Sequence, residues 1–263
     1  MSKDAHEGSP REEVPGTAAF SRFMRVLQAV CDSNDPPTKA RLATLVDLPR
    51  PTVYRIVAAL KAEGMLTESR GSGTLLPGPR LLSLAARGWE RSDFRQAAQA
   101  PLTRLRDLLD ETIHLAIASG DEMVYIDKLE SNRTVRMMSR IGTRVPLHSS
   151  SVGKAWLATL DPEALQAVLD RLPLPARTRH TVTDRTALER QLHATRERGY
   201  SLDIQENEDD ICCYGRAIVG RDGRPLGCIS VSMPRYRFEE TDARLITQAM
   251  AECVRDIARE CDG

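Results

Sequence analysis

The sequence predicts an α+β chain in two parts: an N-terminal winged helix-turn-helix and a larger domain built on an antiparallel sheet. Three observations carry this. Between Lys39 and Ala58, two short helical patterns follow each other at helix-turn-helix spacing, and a Gly71-Ser72-Gly73 turn between short apolar runs comes next. After residue 95, strand-like and helix-like runs mix, with tight turns at Gly120-Asp121 and Asp222-Gly223. The chain has 263 residues, 41% hydrophobic and 28% charged, which suits two domains of ordinary globular composition.

The elements follow in order. Residues 1–17 read as a disordered arm rich in Gly, Pro, Ser and acids. From Phe20 to Cys31, apolar residues recur at i, i+3, i+4 and i+7, the period of a helix, and Asp35-Pro36-Pro37 ends it. Helices are predicted over Lys39–Val46 and Pro51–Ala62, then a hairpin from Met65–Glu68 and Thr74–Leu76. These make residues 18–78 the winged helix-turn-helix domain. Pro79–Arg91, with Leu81, Leu82, Leu84 and Ala85 apolar, reads as a linker helix within 79–92. Residues 93–263 form the second domain. There a helix over Phe94–Asp110 precedes strands at Thr112–Ser119, Met123–Leu129 and Val135–Met138. Helices at Val152–Leu160, Pro162–Leu172 and Thr186–Arg198 lead to strands at Tyr200–Ile204, Ile211–Val219 and Leu226–Met233. A helix from Glu239 to Cys261 closes the chain.

The strongest local signal is the pair of short helices. Ala43 is small enough for the second helix to cross the first closely. Leu42, Leu48, Val53 and Ile56 anchor both helices. Asp47 stands at the turn, where left-handed backbone is needed and Asp tolerates it. Pro51 suits a first helical turn, where its missing N–H costs little. With Val53, Ile56, Val57 and Leu60 facing inward, Arg50, Thr52, Tyr54 and Arg55 are left on the outward N-terminal side. That end of a recognition helix enters the major groove, where Arg reads guanine and Thr or Tyr holds phosphate. Thr38 and Lys39 at the start of the first helix and Arg70 in the hairpin tip complete the expected DNA-contacting set. From Ala18 to Glu90 there are ten Lys/Arg against six Asp/Glu, a local +4, although the whole chain is neutral.

Other classes are disfavoured. No apolar run is long enough to span a bilayer, and the polar start lacks a secretion signal, so a cytoplasmic protein is expected. Six cysteines without a CxxC pair suit reduced thiols and no structural zinc. Aromatic residues at 4% argue against a large stacked cofactor, and no cofactor is expected.

Four motifs in order carry a resemblance over nearly the whole chain from Phe20. They are Leu48–Arg55, with Pro51 for a usual Ser, and Pro146–Ala155. The third is Gly199-Tyr200 with Asp203 and Glu206, and the fourth is Cys213, Asp222-Gly223 and Ile229–Ser232. In these the chain resembles the IclR family of bacterial regulators. The resemblance implies a winged helix-turn-helix, a linker helix and a GAF/PAS-like effector-binding domain. It also implies a homodimer or homotetramer on an inverted-repeat operator in double-stranded DNA, and a small organic, sugar or aromatic acid as effector. Most members resemble repressors.

The residues give their own account of the effector site. If Asp222-Gly223 is a two-residue turn, positions summing to 445 lie opposite each other, so Cys213, Ser230 and Ser232 share one face. That face is either a pocket or a small-residue patch under a helix; the family's pocket positions fall on the same three residues. Ser150, Ser151, Val152 and Gly153 form the second wall, where helix-start N–H groups suit a carboxylate. Asp203 accepts from a ligand hydroxyl or amine, and Val145 completes the set. The resemblance implies that the family commonly has Gly-Ala or Ala-Leu where this chain has Ser151-Val152, so the ligand-facing surface is more polar here, which points to a hydroxylated ligand. Lys154 reads as structural, and His114 as a core or pocket-lining histidine. The competing classes are an enzyme using Cys213 with His148 and Asp203, and a redox sensor using Cys213.

Overall fold

The computed structural model describes residues 16–90 and 93–261, so nearly all of the arm expected over 1–17 lies outside the described residues. Two compact units divide the chain, Met1–Ser92 and Asp93–Gly263.

The first unit contains α1 (Ala18–Asp32), α2 (Lys39–Leu45), α3 (Arg50–Ala62), β1 (Leu66–Glu68), β2 (Leu75–Pro77) and α4 (Pro79–Glu90). Val26, Leu27 and Val30 of α1 meet Leu42 and Ala43 of α2 and Val53, Ile56, Val57 and Leu60 of α3 in one apolar core. Thr38 caps α2, its Oγ1 accepting the Arg41 N–H at 3.4 Å. Asp47 makes the turn with φ 48°, the left-handed backbone expected there. β1 and β2 pair antiparallel, Leu66 opposite Pro77, and the Leu75 N–H donates to the Pro37 carbonyl at 2.9 Å, tying the wing to the chain before α2. The apolar helix expected as a linker is α4.

The second unit contains α5 (Asp93–Leu109), β3 (Thr112–Ser119), β4 (Glu122–Leu129), β5 (Arg144–Pro146), α6 (Ser151–Leu157), α7 (Pro162–Arg171), α8 (Arg185–Arg198), β6 (Ser201–Ile204), β7 (Ile211–Val219), β8 (Pro225–Pro234), α9 (Arg235–Glu240) and α10 (Ala243–Cys261). The strands form one antiparallel sheet in the order β5-β4-β3-β8-β7-β6. Because side chains alternate along a strand, the central strands β4, β3, β8 and β7 each feed two cores. On one face, α5 and α10 cover Ile113, Leu115, Tyr214, Ile229 and Val231. On the other, α6, α7 and α8 cover Ala116, Tyr125 and Cys228.

Three details differ from the sequence reading. Val135–Met138 is not a strand: Val135 and Met138 are exposed, and the third short strand is Arg144–Pro146. The apolar pattern there was too short to separate a strand from a loop segment in which, of these four residues, Met137 alone is buried. The C-terminal helix does not start at Glu239. α9 ends at Glu240, and Asp242, accepting the Arg244 N–H at 2.9 Å, opens α10. The β7–β8 turn is Arg221-Asp222-Gly223, not a two-residue turn. The Gly220 N–H donates to Arg224 at 2.9 Å, and Gly223 takes φ 79°. A bulge between Ile218 and Val219 then absorbs the extra residue. The 445 register therefore holds from Ile218 onward despite the different turn.

Candidate functional site

On α3, burial of Val53, Ile56, Val57 and Leu60 leaves Arg50, Tyr54 and Arg55 exposed and Thr52 half-buried. Arg50, Arg55 and the exposed wing residue Arg70 make no ion pair among the described residues. Lys39 differs: its Nζ lies 2.8 Å from Glu68 Oε1, and Lys61 bonds the other oxygen of the same carboxylate. The Lys39 and Lys61 hydrogen bonds hold the Glu68 carboxyl below its usual range. Lys39 therefore fastens the wing to α2, while the three arginines stay free to meet phosphates or base edges.

In the second unit, strand register builds two polar rungs on the face under α6. Asp203, Cys213, Ser232 and Thr112 form one; Ser201, Gly215, Ser230, His114 and Lys128 form the next. Sequence reasoning joined Cys213, Ser230 and Ser232. It missed Thr112 and Lys128, because periodicity gives a residue's face but not which strand lies beside it. The His114 ring stacks on Tyr125, centroids 4.2 Å apart. Its Nδ1 lies 3.0 Å from Ser230 Oγ and 3.4 Å from Ser232 Oγ, and its Nε2 lies 2.6 Å from Ser139 Oγ. Ser139 comes from the 130–143 loop, which Lys128 also holds through its Nζ donating to the Ser139 carbonyl at 2.8 Å. Burial, and then the Lys128 charge, push the His114 pKa down to about 3, so its ring is neutral. The Thr112 Oγ1 is buried without a hydrogen-bond partner among the described residues.

α6 rests directly on this face. A Cβ at Gly215 would lie far inside contact distance of the Ser151 carbonyl, so only glycine lets helix and strand backbones approach so closely. Ser201 Oγ donates to the same carbonyl at 2.5 Å. Ser150 caps the helix, its Oγ accepting the Gly153 N–H at 3.1 Å and donating to the Pro146 carbonyl at 2.6 Å. Capping thus commits the Ser150 hydroxyl and the Gly153 N–H, and the helix-start N–H donors outside the cap belong to Ser151 and Val152. The side chains of Val152 and Val145 lie in the apolar cluster beneath α6.

Asp203 is turned toward its own loop. Its Oδ1 accepts from the Glu206 N–H at 2.7 Å and the Asn207 N–H at 3.3 Å. Burial raises the Asp203 carboxyl to about 7, against the pull of Lys154 and of the Glu206 N–H. Lys154, 1% exposed, donates to Glu206 Oε1 at 2.6 Å and to Gln191 Oε1 at 2.9 Å. An ion pair thus pins α6 to the loop after β6.

The residues imagined as a catalytic set are not assembled. His148 directs Nε2 to the Pro175 carbonyl at 3.0 Å, and no hydrogen bond joins it to Cys213 among the described residues. Burial, followed by the Asp203 charge, pushes the Cys213 thiol well above its usual range, away from the reactive thiolate. Among the described residues, no group of three His, Cys, Asp or Glu could hold a metal ion.

Comparison with known proteins places both units. Residues 87–259 match the family model described as bacterial transcriptional regulator IclR C-terminal, and residues 19–70 match the IclR helix-turn-helix domain. The Escherichia coli K12 transcriptional repressor AllR is 31% identical, covering 99% of this chain and 96% of its own length. The transcriptional regulator KdgR from the same organism is 33% identical over 76% of each chain. The crystal structure of an IclR homologue from Microbacterium hydrocarbonoxydans, complexed with 4-hydroxybenzoate, superposes with a TM-score of 0.78. It is 26% identical over 93% of this chain and 99% of that one.

Proposed function

The chain belongs to the IclR family of DNA-binding transcriptional regulators with an effector-binding C-terminal domain, and on that premise we propose that it is a repressor released from its operator by a small hydroxylated or aromatic carboxylic acid. The observation that carries the ligand reading is the buried polar face. Thr112, His114, Cys213, Ser230 and Ser232 converge there, and the Thr112 hydroxyl has no hydrogen-bond partner among the described residues. Buried polar groups are ordinarily satisfied, so an unused hydroxyl beside a Ser-His-Ser cluster suits a ligand oxygen. The acid's carboxylate would take hydroxyl donors from this face together with the Ser151 and Val152 N–H groups. Ser150 and Gly153 would shape the wall through the cap, and Asp203 would accept from a ligand hydroxyl. Val145 and Val152 supply the apolar side. The 130–143 loop would move for the ligand to enter, exchanging the Ser139–His114 contact for ligand contacts. The complex of the Microbacterium homologue with 4-hydroxybenzoate supports an aromatic acid as one member of the class.

The DNA surface is Arg50, Thr52, Tyr54, Arg55 and Arg70, with Thr38 and Lys39 placing the start of α2. One reading head covers too little DNA for strong specificity, so we assign a dimer on an inverted repeat, with higher assembly to a tetramer open to it. The exposed apolar side chains Phe20 of α1 and Leu82 and Leu84 of α4 suit such an interface. No described helix is long and apolar enough to cross a membrane, and we read the protein as a cytoplasmic, non-catalytic regulator.

A thermal-shift screen of hydroxylated and aromatic acids, followed by calorimetry, tests the ligand reading. Ser232→Val and Cys213→Leu should each weaken a true ligand by about tenfold through a lost hydrogen bond or an altered wall. Ligand should weaken operator binding by about 1–3 kcal/mol in fluorescence anisotropy. Unchanged affinity in both variants would place the ligand elsewhere.

A further inference from the structure

We propose that the cleft at the free edge of β7 is a second, independent ligand site that takes a small phosphate monoester. β6 pairs only with Cys212–Gly215 of β7, so Arg216–Val219 has no neighbouring strand on that side. A cleft of about 420 Å³ opens there between α6, α8 and α10. Its walls are apolar, with Ala155 from α6, Ala158 at the C-terminal end of that helix, Ala217 from β7, and Val254 and Ala258 from α10. Arg216 and Arg255 also line it, and no acidic side chain does.

The two arginines are the unusual feature. Arg216 is half-buried, and neither it nor Arg255 has an acidic partner among the described residues. Burial, and then the neighbouring Arg255 charge, lower the pKa of the Arg216 guanidinium. Elsewhere in this unit, arginines with little exposure are paired. Arg237 grips Glu111 at 2.6 and 2.7 Å, Arg95 lies 3.0 Å from Asp127, and Arg144 lies 3.1 Å from Glu122. A partly desolvated charge beside a like charge is costly unless an anion meets it. The other arginine at the rim, Arg196, is already spent on the Ala158 and Leu160 carbonyls at 2.8 Å each and only shapes the wall.

The geometry selects the ligand class. Two guanidinium groups without counter-charge match a dianion, and a phosphate monoester carries close to two negative charges at neutral pH with three acceptor oxygens. A monocarboxylate would compensate only one of them. Gly199 keeps the approach open, since a Cβ there would sit 3.3 Å from Arg216 Nη2. The cleft volume falls in the range of small-molecule sites, and its alanine and valine walls suit a short carbon body.

The test uses the full chain, with ribose 5-phosphate and inorganic phosphate as probes, ribose as the uncharged control and chloride holding ionic strength constant. Calorimetry should show saturable binding of ribose 5-phosphate, weaker binding of phosphate alone and none of ribose. Arg216→Gln and Arg255→Gln should each weaken it by about tenfold or more, the scale of a lost charge-assisted bond. Ser232→Val, in the other site, should leave it unchanged. Circular dichroism checks that the variants remain folded. The proposal is overturned if neither phosphate probe saturates below about 10 mM, or if both arginine variants bind as the parent does. It is also overturned if light scattering shows those variants dissociating an assembly in which the cleft is sealed by a second copy.

Discussion

Arg55 stands exposed on α3 with no ion pair among the described residues, while Lys154, 1% exposed, lies 2.6 Å from Glu206 in the other unit. Both are cations in candidate binding regions, yet their surroundings are opposite. The helix α3 keeps Arg50 and Arg55 solvated and outside any ion pair among the described residues. They cost little to hold, add little to stability, and are available to a polyanion. The second unit buries its polar groups, and each must then be satisfied inside the protein or by a ligand. Changes on α3 should therefore affect binding and spare the fold, while changes beneath α6 should affect the fold first.

The largest effect expected is that of Lys154→Met. It strands the Glu206 carboxylate in the core and should cost about 3–5 kcal/mol in urea unfolding. Adding Glu206→Leu should recover most of that loss, since the penalty lies in the uncompensated charge. A double variant no more stable than the single would show that the pair does more than neutralise itself.

Asp203 should give the second unit a pH signature. Its folded carboxyl holds a proton up to about pH 7, while the unfolded value is 3.8, so the folded state binds more protons between those limits. This contribution to stability is fully present below 3.8 and is lost as pH rises through 7. Relative to Asp203→Asn, the parent should lose stability with rising pH across this window, at no more than about 1.4 kcal/mol per pH unit. Parallel stability curves for the two proteins would mean that Asp203 is ionised throughout.

On the DNA side, Arg55→Ala should weaken specific operator binding by about 1–3 kcal/mol in a salt-controlled anisotropy titration. Its unfolding midpoint should match the parent's, in contrast with Lys154→Met. Full retention of operator affinity would remove Arg55 from base reading. The smallest effect belongs to Arg70. As a wing contact to phosphate, Arg70→Ala should weaken specific and non-specific DNA alike and reduce the salt slope by about one. A loss confined to the specific site would mean that the wing reads bases.

Much of the reading head was legible because its rules are local. The spacing from Leu42 to Leu60 fixes which side of α3 is buried, and Asp47 takes its left-handed turn from four residues of context. The buried polar face was legible only along one hairpin. Alternation from the Asp222-Gly223 turn put Cys213, Ser230 and Ser232 together, and their register survived even though the turn itself has three residues.

By itself, then, the sequence determined the helix periods, the place of the main turns, the alternating faces of the β7–β8 hairpin and the four motifs that mark the family. The tertiary structure decided the rest. It set β3 beside β8, bringing Thr112 and His114 to the serines, and laid Ser139 of the 130–143 loop on His114. It committed the Gly153 N–H to the Ser150 cap and sank Lys154 against Glu206. It also started β6 only at Ser201, opposite Gly215, leaving the β7 edge and two arginines beside a cleft. The physical reason is range: periodicity and turn chemistry act within a few residues, whereas strand order and the partner of a buried charge depend on chain segments fifty or more residues apart.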